Sequence, residues 1–351
     1  MRRTGILSNR WKNLWRSVPK VVFNDYQFHK IENLDSLPYY DVDNSVPEFY
    51  KCVNETLSQL QLETLDEFDL VSNYGSEFRK SVNKIVDFCC ARNVKRFSLV
   101  LRDSEDDCRF WIFQNSFYIN KHFTDINLRH CLIYPFVTIS SNNLINLSIG
   151  ESQIQGSLIK KNILSGSPVL KSLTFEYCKA SLLDIHSTSL ENLQLIGFSS
   201  DEEDEDFVTI KAPNIMSLKI VGKMYVSDIL LEDVSSLKVA SLDFLIPRNL
   251  DTIHKREQKN VLRGLIQSLQ HVERIQIGYS CNKVLSRLDE KGFMKLMTVI
   301  WEVLMTNKLK LNKNGNHVFF EVDLGLTVQE LEKAEEEAGY GSMFLKMMKM
   351  F

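Results

Sequence analysis

The sequence lacks the short motifs by which the common enzyme classes are identified. No segment fits a P-loop, a G-x-G-x-x-G turn, a G-x-S-x-G nucleophile elbow or an H-E-x-x-H zinc motif. The seven histidines are spread between His29 and His317 without a ligand-like spacing. We therefore expect a protein that is not an enzyme and that holds neither a cofactor nor a metal ion.

Long apolar runs, paired cysteines and a basic body are also missing. No apolar run approaches the roughly 18 residues that a membrane-spanning helix needs. The seven cysteines are an odd number without a C-x-x-C pair, which is typical of reduced thiols in a cytosolic or nuclear protein. Six of the 42 basic residues and none of the 45 acidic ones lie in the first 20 positions, so the rest of the chain is acidic. We expect a cytoplasmic or nuclear protein that binds neither membranes nor nucleic acids.

A repeated apolar pattern is what the sequence does contain. The spacing apolar-x-x-apolar-x-apolar starts at nine positions, namely Leu65, Val94, Phe123, Leu144, Leu170, Leu190, Ile215, Leu237 and Val272. Successive starts are 20 to 35 residues apart, which is typical of a leucine-rich solenoid with one short strand in each unit. A single unit cannot cover its own apolar face, so neighbouring units must stack. The pattern predicts an α/β fold, a curved leucine-rich-repeat solenoid with a parallel sheet on its concave face.

Two cysteines and several flanking segments have predicted places in this fold. Cys131 and Cys178 occupy the N/C slot of L-x-x-L-x-L-x-x-N/C-x-L, so both should be buried. Helical apolar spacing predicts helices in three segments, Val46 to Leu60, Phe78 to Cys89 and His254 to Gln270. The later, shorter units should return by loops or 3₁₀ turns. Asn314-Gly315 predicts a hairpin between Leu309–Leu311 and Val318–Phe320, and an acidic helix should begin at Thr327.

The first 20 residues form a basic amphipathic segment. Leu7, Trp11, Leu14 and Trp15 fall on one helical face, and Pro19 ends the pattern. By itself this pattern fits a mitochondrial transit peptide, a helix that docks to a membrane or a partner, or one piece of a helical domain.

Three segments resemble one plant protein family. Residues 4–19, TGILSNRWKNLWRSVP, resemble the second half of a plant F-box domain, which typically reads R-T-x-V-L-S-K-R-W-R-x-L-W-x-S-V/L-P. Residues 163–173, ILSGSPVLKSL, resemble the family's L-L-S-G-C-P-V-L-E-x-L, and residues 212–218, APNIMSL, resemble its A-P-N-L-x-S-L. The chain is therefore similar to the plant F-box proteins with leucine-rich repeats, the FBD-like F-box family. The resemblance favours the third interpretation of the N-terminal segment.

The resemblance implies a function and two kinds of partner. Proteins of this family act as substrate-recognition subunits of SCF-type (Skp-cullin-F-box) E3 ubiquitin ligases, in which the F-box docks the Skp adaptor and the repeats bind the protein substrate. It implies Leu7, Trp11, Leu14 and Trp15 as adaptor-binding residues. The first half of the F-box, with its Leu-Pro helix, has no counterpart in this sequence, so we expect the chain to bind the adaptor, and thereby the cullin, weakly or not at all. The alternative is a repeat-only protein-binding module, or a decoy, that has lost adaptor binding through truncation of the F-box.

These observations predict four regions along the chain. Residues 1–24 would be a partial helical F-box remnant, 25–64 a helical connector and N-terminal cap, 65–280 the leucine-rich repeats and 281–351 a helix-hairpin-helix cap region. The six consecutive acidic residues from Asp201 to Asp206 would form a solvated loop between repeats.

The repeats also predict a partner-binding surface. In each unit, the residue between the two central apolar positions faces away from the core. These residues, called the polar column below, are Asp69, Ser98, Asn127, Ser148, Thr174, Gln194, Lys219, Ser241 and Gln276. Solenoids bind partners along this sheet, and the predicted partner-binding residues are Asn127, Ser148, Thr174, Gln194 and Lys219. Their mixed chemistry favours a protein partner over phosphate, although any solvated sheet face alternates in the same way.

Overall fold

The computed structural model divides the chain into two compact units, residues 1–180 and 181–351. The structure describes residues 17–28, 46–103, 110–112, 115–133, 138–154, 159–180, 183–199, 207–246, 252–281, 309–314 and 317–322. The four predicted adaptor-binding residues, the acidic run 201–206 and the helix predicted from Thr327 lie outside these ranges.

A parallel sheet is the main element of the first unit. Its strands follow one another in space as they do in the chain, and they are β1 (Lys20–Asn24), β2 (Glu67–Tyr74), β3 (Arg96–Asp103), β5 (Asp125–Arg129), β7 (Asn146–Gly150) and β8 (Ser172–Lys179). The register aligns equivalent repeat positions, so that Phe68 pairs with Phe97 and Leu70 with Leu99. β4 (Phe110–Ile112) and β6 (Cys131–Ile133) form a separate two-stranded parallel sheet.

Strand β1 was not among the predicted elements. Its segment Val21-Val22-Phe23 is rich in β-branched and aromatic residues, which favour strands. The Pro19 carbonyl accepts hydrogen bonds from the amides of Asp66 and Glu67, at 2.8 and 3.1 Å, and so sets the register of β1 on β2. The first repeat strand therefore has a parallel neighbour on its N-terminal side.

Helices pack against the first strands as predicted. The first unit contains α1 (Asp25–Phe28), α2 (Val46–Gln59), α3 (Arg79–Ala91) and α4 (Asn115–Tyr118), with a 3₁₀ turn at Ser76–Phe78 and a π-helical turn at Ile159–Leu164. The buried residues of α2 and α3 are Val46, Phe49, Tyr50, Val53, Leu57, Val82, Ile85, Val86 and Cys89. After α3 ends, Asn93 takes a left-handed conformation with φ of 55°, as asparagine commonly does after a helix. Both predicted helices are confirmed.

The second unit repeats the parallel arrangement. Its main strands are β10 (Asn192–Ser199), β12 (Ser217–Met224), β14 (Val239–Leu245) and β15 (Arg274–Ile277), each paired with the next. The helix α5 (Thr252–Ser268) confirms the predicted helix between β14 and β15. β16 (Leu309–Asn314) and β17 (His317–Val322) pair antiparallel with Asn314 opposite His317, which confirms the predicted hairpin. Of the helices in the described ranges, none is long and apolar enough to cross a membrane.

The return segments of the short repeats differ from the prediction. Loops or 3₁₀ turns were expected, but a second parallel sheet is formed in the order β13-β11-β9 by β9 (Leu183–His186), β11 (Phe207–Lys211) and β13 (Asp228–Asp233). Leu183-x-Ile185 and Val208-x-Ile210 alternate with a period of two and bury their apolar side chains. Pairing also satisfies backbone groups that a buried loop would leave without hydrogen bonds.

Phenylalanine rings connect the first repeats through the core. Phe68 stacks on Phe97 at 6.0 Å between ring centroids, and Phe97 contacts Phe117 and Phe123 at 5.7 and 5.6 Å. All four rings are at most 1% exposed. Aromatic pairs of this kind add about 0.5–1.5 kcal/mol beyond the area that they bury. The aromatic contacts therefore run from one repeat to the next, in the direction of the stacking.

The two predicted core cysteines connect neighbouring strands. Cys131 and Cys178 are fully buried. The Cys178 thiol donates to the carbonyl of Ile149 on the preceding strand at 3.2 Å, and the Cys131 thiol has two acceptors, the carbonyl of Arg129 at 3.2 Å and that of Leu99 on β3 at 3.7 Å. Burial raises the pKa of the Cys178 thiol to about 12 and also raises the pKa of Cys131. Ser152 holds the equivalent place in the intervening repeat, where its hydroxyl donates to a backbone carbonyl. In these three successive repeats, this position therefore holds a small side chain that donates a hydrogen bond to a backbone carbonyl.

Native-state labelling should separate the buried thiols from the accessible ones. At about pH 8, N-ethylmaleimide should modify the partly exposed Cys52, while Cys131 and Cys178 remain unmodified because they are buried and hold almost no thiolate. Mass spectrometry of peptides after brief exposure measures this difference. Modification of Cys131 or Cys178 at the rate of Cys52, without unfolding, would contradict the packing.

Neighbouring residues of β10 should differ sharply in their contribution to stability. Leu193 is fully buried and Gln194 is partly exposed. Leu193→Ala should lower the free energy of unfolding by about 2–5 kcal/mol, because it leaves a cavity. Gln194→Ala is the matched control and should change it by less than about 0.5 kcal/mol. Urea unfolding measures both values, and equal values would show that the strand faces are assigned wrongly.

Candidate protein-binding surface

The polar column lies on the solvent side of the sheet in the first unit. Cross-strand pairing makes neighbours of its five members there, Asp69, Ser98, Asn127, Ser148 and Thr174. All five are partly exposed, whereas the residues before and after each of them in the strand are buried. The side-chain amide of Asn127 donates a hydrogen bond of 3.1 Å to the hydroxyl of Ser98. The structure thus brings three predicted partner-binding residues, Asn127, Ser148 and Thr174, into one row.

The second unit carries the remaining four members in the same arrangement. The strand register places Lys219 between Gln194 and Ser241, and Ser241 beside Gln276. Each is partly exposed between two buried neighbours in its strand. The two predicted partner-binding residues of this unit, Gln194 and Lys219, are therefore adjacent on one sheet face.

A shallow depression lies over the polar column of the first unit. It has a volume of about 280 Å³, and besides the column it is lined by the residues two positions earlier in the same strands. This flanking row consists of Glu67, Arg96, Asp125, Asn146 and Ser172. Small hydroxyl side chains at Ser98, Ser148 and Ser172 leave space between larger neighbours. Phe68, Phe97, Ile126 and Leu147 contribute apolar surface between these polar side chains, and the depression coincides with the surface that the repeat pattern predicts.

Charges alternate along the flanking row and compensate one another. Lys20 and Arg96 form ion pairs of 2.5 and 2.7 Å with Glu67 from the two neighbouring strands. Their hydrogen bonds lower the pKa of the Glu67 carboxyl. Asp125 accepts a hydrogen bond of 2.5 Å from the side-chain amide of Asn146 and one of 2.6 Å from the hydroxyl of Thr124. The polar groups of this row are thus held in place before any partner binds.

A left-handed backbone position recurs just beyond the strand centres. His130, Glu151 and Tyr177 have φ of 53°, 49° and 51°, and they hold the same place in three successive repeats. In the second unit, Gly197 and Gly222 hold this place with φ of 60° and 87°. The conformation breaks the strand alternation and turns the chain back towards the core. Only glycine adopts it without steric cost, so the first unit keeps three side chains at a position that costs about 1–2 kcal/mol each.

An ion-pair network surrounds this left-handed position. Arg129 pairs with Glu151 at 3.3 Å and also with Glu176, which lies two strands away. His130 contacts the same Glu151 carboxylate. Gly150 gives the arginine room, because a Cβ there would lie 3.0 Å from Cγ of Arg129. The network fixes the edge of the surface beside the exposed Tyr177 ring.

Sequence reasoning located the polar column but not its surroundings. The flanking row could have been found, because each member lies two residues before a member of the column in the same strand. The left-handed position had only Gly197 and Gly222 as a signal, since histidine, glutamate and tyrosine give no indication of positive φ. Within the described ranges, no group of three histidine, cysteine or acidic side chains is arranged to hold a metal ion.

Comparison with known proteins relates the chain to leucine-rich-repeat proteins of plants. The family model described as "At1g61320/AtMIF1, LRR domain" matches residues 57–302. The F-box/LRR-repeat protein At5g02910 of Arabidopsis thaliana is 26% identical over 288 residues, which cover 81% of this chain and 56% of that protein. The F-box protein At5g03100 of the same plant is 26% identical over 298 residues, which cover 83% of this chain and 85% of that protein.

The chain matches only part of the length of several relatives. F-box/LRR-repeat protein 25 of Arabidopsis thaliana is 27% identical over 220 residues, which cover 62% of this chain and 76% of that protein. The matches to At5g02910 and to three further Arabidopsis relatives span only 56% to 58% of those proteins. No solved structure is significantly similar to the chain.

The family match and the structure agree on the fold. The matched segment runs through the parallel repeat strands of both units, and the predicted α/β leucine-rich-repeat fold is confirmed. The chain belongs to the leucine-rich-repeat family of the At1g61320/AtMIF1 type, within the plant F-box/leucine-rich-repeat proteins.

Proposed function

We propose that this chain is the substrate-recognition part of an SCF-type E3 ubiquitin ligase and that it binds a protein substrate on the repeat sheet. The observation that carries the proposal is the polar column, whose members are exposed between buried neighbours in nine strands. The relatives add the context, because their names describe F-box and F-box/LRR-repeat proteins. Asn127, Ser148, Thr174, Gln194 and Lys219 are the residues that we assign to substrate binding.

The surface suits recognition of a folded protein or a peptide. Its hydroxyl, amide and charged groups are mixed, so it offers donors and acceptors to many partner groups. The depression makes the surface concave, so that a partner side chain can enter it. The ion pairs of the flanking row fix the side chains at the edge of the depression. Preorganised groups lose little conformational entropy when a partner binds, which favours affinity.

The proposed role needs no chemistry from this chain. A receptor subunit holds its substrate close to a reactive group that other subunits carry, and positioning alone accelerates such a reaction strongly. We therefore propose a non-catalytic role. The residues assigned above would set which protein is held and for how long.

Blocking the depression should abolish substrate binding without unfolding the protein. Ser148→Arg places a long side chain into the depression, whereas Ser58→Arg places the same residue on the exposed face of α2. Proteins captured by the full chain through proximity labelling in plant cells are identified first, and their affinities are then measured with purified variants. We expect Ser148→Arg to weaken binding at least about 100-fold, the loss of a hot-spot contact, and Ser58→Arg to have no effect.

The second unit is tested in the same way by Lys219→Glu combined with Gln194→Ala. Lys211→Glu, on the exposed side of β11, is the matched charge reversal away from the polar column. Thermal unfolding checks that all variants remain folded. If both the Ser148 variant and the Lys219 variant bind as tightly as wild type, the repeat sheet is not the substrate surface.

The ligase assignment depends on the adaptor. The family resemblance assigns Trp11 and Trp15 to that contact, and tryptophan is among the residues that most often dominate interfaces. Trp15→Ala should weaken the affinity of the full chain for a purified Skp adaptor about tenfold or more, as measured by calorimetry. Ser58→Arg, on the exposed face of α2, is the control here as well. A second tryptophan substitution, Trp111→Ala, is unsuitable because Trp111 lies in strand β4, which is part of the fold.

Two other outcomes have distinct meanings. An adaptor affinity that Trp15→Ala leaves unchanged would show that the N-terminal segment does not dock the adaptor. A chain that captures a substrate protein but binds no adaptor would be the repeat-only module, and the ligase role would then be wrong.

A further inference from the structure

Asp69 differs from the other charged residues that line the depression. Lys20, Arg96 and Arg129, which are cations of the same sheet face, all form ion pairs with carboxylates other than Asp69. Among the described residues, no lysine, arginine or histidine pairs with Asp69, and its Oδ1 atom is enclosed without a hydrogen-bond donor. Asp125, the nearest comparison, has donors on both of its oxygens.

An enclosed carboxylate oxygen without a donor is costly for a folded protein. Removal from water is compensated only when a hydrogen bond or an opposite charge replaces the lost solvation. Native structures leave few such groups, and each of them calls for an explanation. The position of Asp69 supplies one, because its side chain lines the depression over the polar column. A cation that enters the depression would offset this cost, because its charge would lie beside the partly exposed carboxylate.

The size of the depression indicates what enters it. Pockets for drug-sized ligands and cofactors enclose about 300–1,000 Å³. The depression, at about 280 Å³, is smaller and open to solvent, so it suits one long side chain of a bound protein. Ser98, Ser148 and Thr174 add hydroxyl oxygens that can accept further hydrogen bonds along its floor.

The charge of the surface indicates the sign of that side chain. Three carboxylates and one cation line the depression, namely Glu67, Asp69, Asp125 and Arg96. Arg96 is already paired with Glu67, so a further carboxylate from a partner would find no unpaired cation among the residues that line the depression. A cation would lie beside Asp69, with which no cation of the described residues pairs, and complementary charge favours both encounter and correct orientation.

We propose that Asp69 binds a lysine or arginine side chain of the partner protein, inserted into the depression over Ser98 and Ser148. The inference rests on the proposed function, because it takes the repeat sheet to be the substrate surface. It adds the chemistry by which the substrate is chosen: a basic side chain at the point of contact with the first unit.

The test compares two substitutions that remove one negative charge without changing shape. Asp69→Asn should weaken binding of the captured partner about 10- to 100-fold, the loss expected for a hydrogen bond to a charged group. Asp87→Asn, on the exposed face of α3, should leave the affinity unchanged. Since no cation of the described residues pairs with Asp69, Asp69→Asn should not lower the thermal midpoint. A lower midpoint would assign Asp69 a structural role instead.

A second measurement needs no natural partner. The full chain is titrated with N-acetyl-arginine amide and N-acetyl-lysine amide, and NMR follows the backbone amides of Ser98, Asn127 and Ser148. Saturable shifts with either cation, absent with N-acetyl-citrulline amide and lost in Asp69→Asn, would support the inference and would show which cation is preferred. Absent shifts, or equal shifts with the uncharged citrulline, would overturn it.

The outcomes separate this inference from the proposed function. If Ser148→Arg abolishes partner binding while Asp69→Asn retains full affinity, the sheet is the substrate surface but Asp69 does not choose the substrate. If neither variant weakens binding, the partner contacts another surface, and the proposed function and this inference both fail.

Discussion

Parallel pairing in a constant register is the constraint on which the rest of the structure depends. Phe68 pairs with Phe97 and Leu70 with Leu99, and the same alignment continues from strand to strand within each unit. Each repeat covers the apolar face of its neighbour, because no repeat has enough residues to cover its own. A slip of one residue would turn every apolar side chain of a strand towards solvent. Register therefore decides both stability and the composition of the exposed face.

The exposed polar column is a consequence of the same register. If apolar residues align in the core, the residues between them must align outside it. Ser98, Asn127 and Ser148 are neighbours for this reason, although they are more than 20 residues apart in sequence. The core has to keep its pattern, whereas the packing of the core places no such requirement on the intervening positions.

Much of this architecture could be predicted from the chain, because its signals are periodic. The repeat starts gave the strands and the polar column, and helical spacing gave α2, α3 and α5. The second sheet was missed because segments such as Leu183–His186 are too short to establish a period against the prediction of a loop. Ion pairs such as Arg129 with Glu176 could not be found, since they join side chains from different repeats whose orientation depends on the fold. The Asp69 carboxylate is of the same kind, because the lack of a donor to its Oδ1 atom among the described residues is a property of the packed chain.

The first unit retains two features that a fold selected only for stability would lose. Glycine at the left-handed positions would relieve strain, as Gly197 and Gly222 do in the second unit, yet His130 and Tyr177 remain there. The cost is partly offset for His130 by its contact with Glu151, whereas the Tyr177 side chain is 59% exposed. Asp69 likewise would be less costly as an uncharged residue. Both features lie on the sheet side of the same unit, at its edge and in its depression. Backbone strain and unsatisfied polar atoms that occur together on one exposed surface are typical of a site maintained for binding.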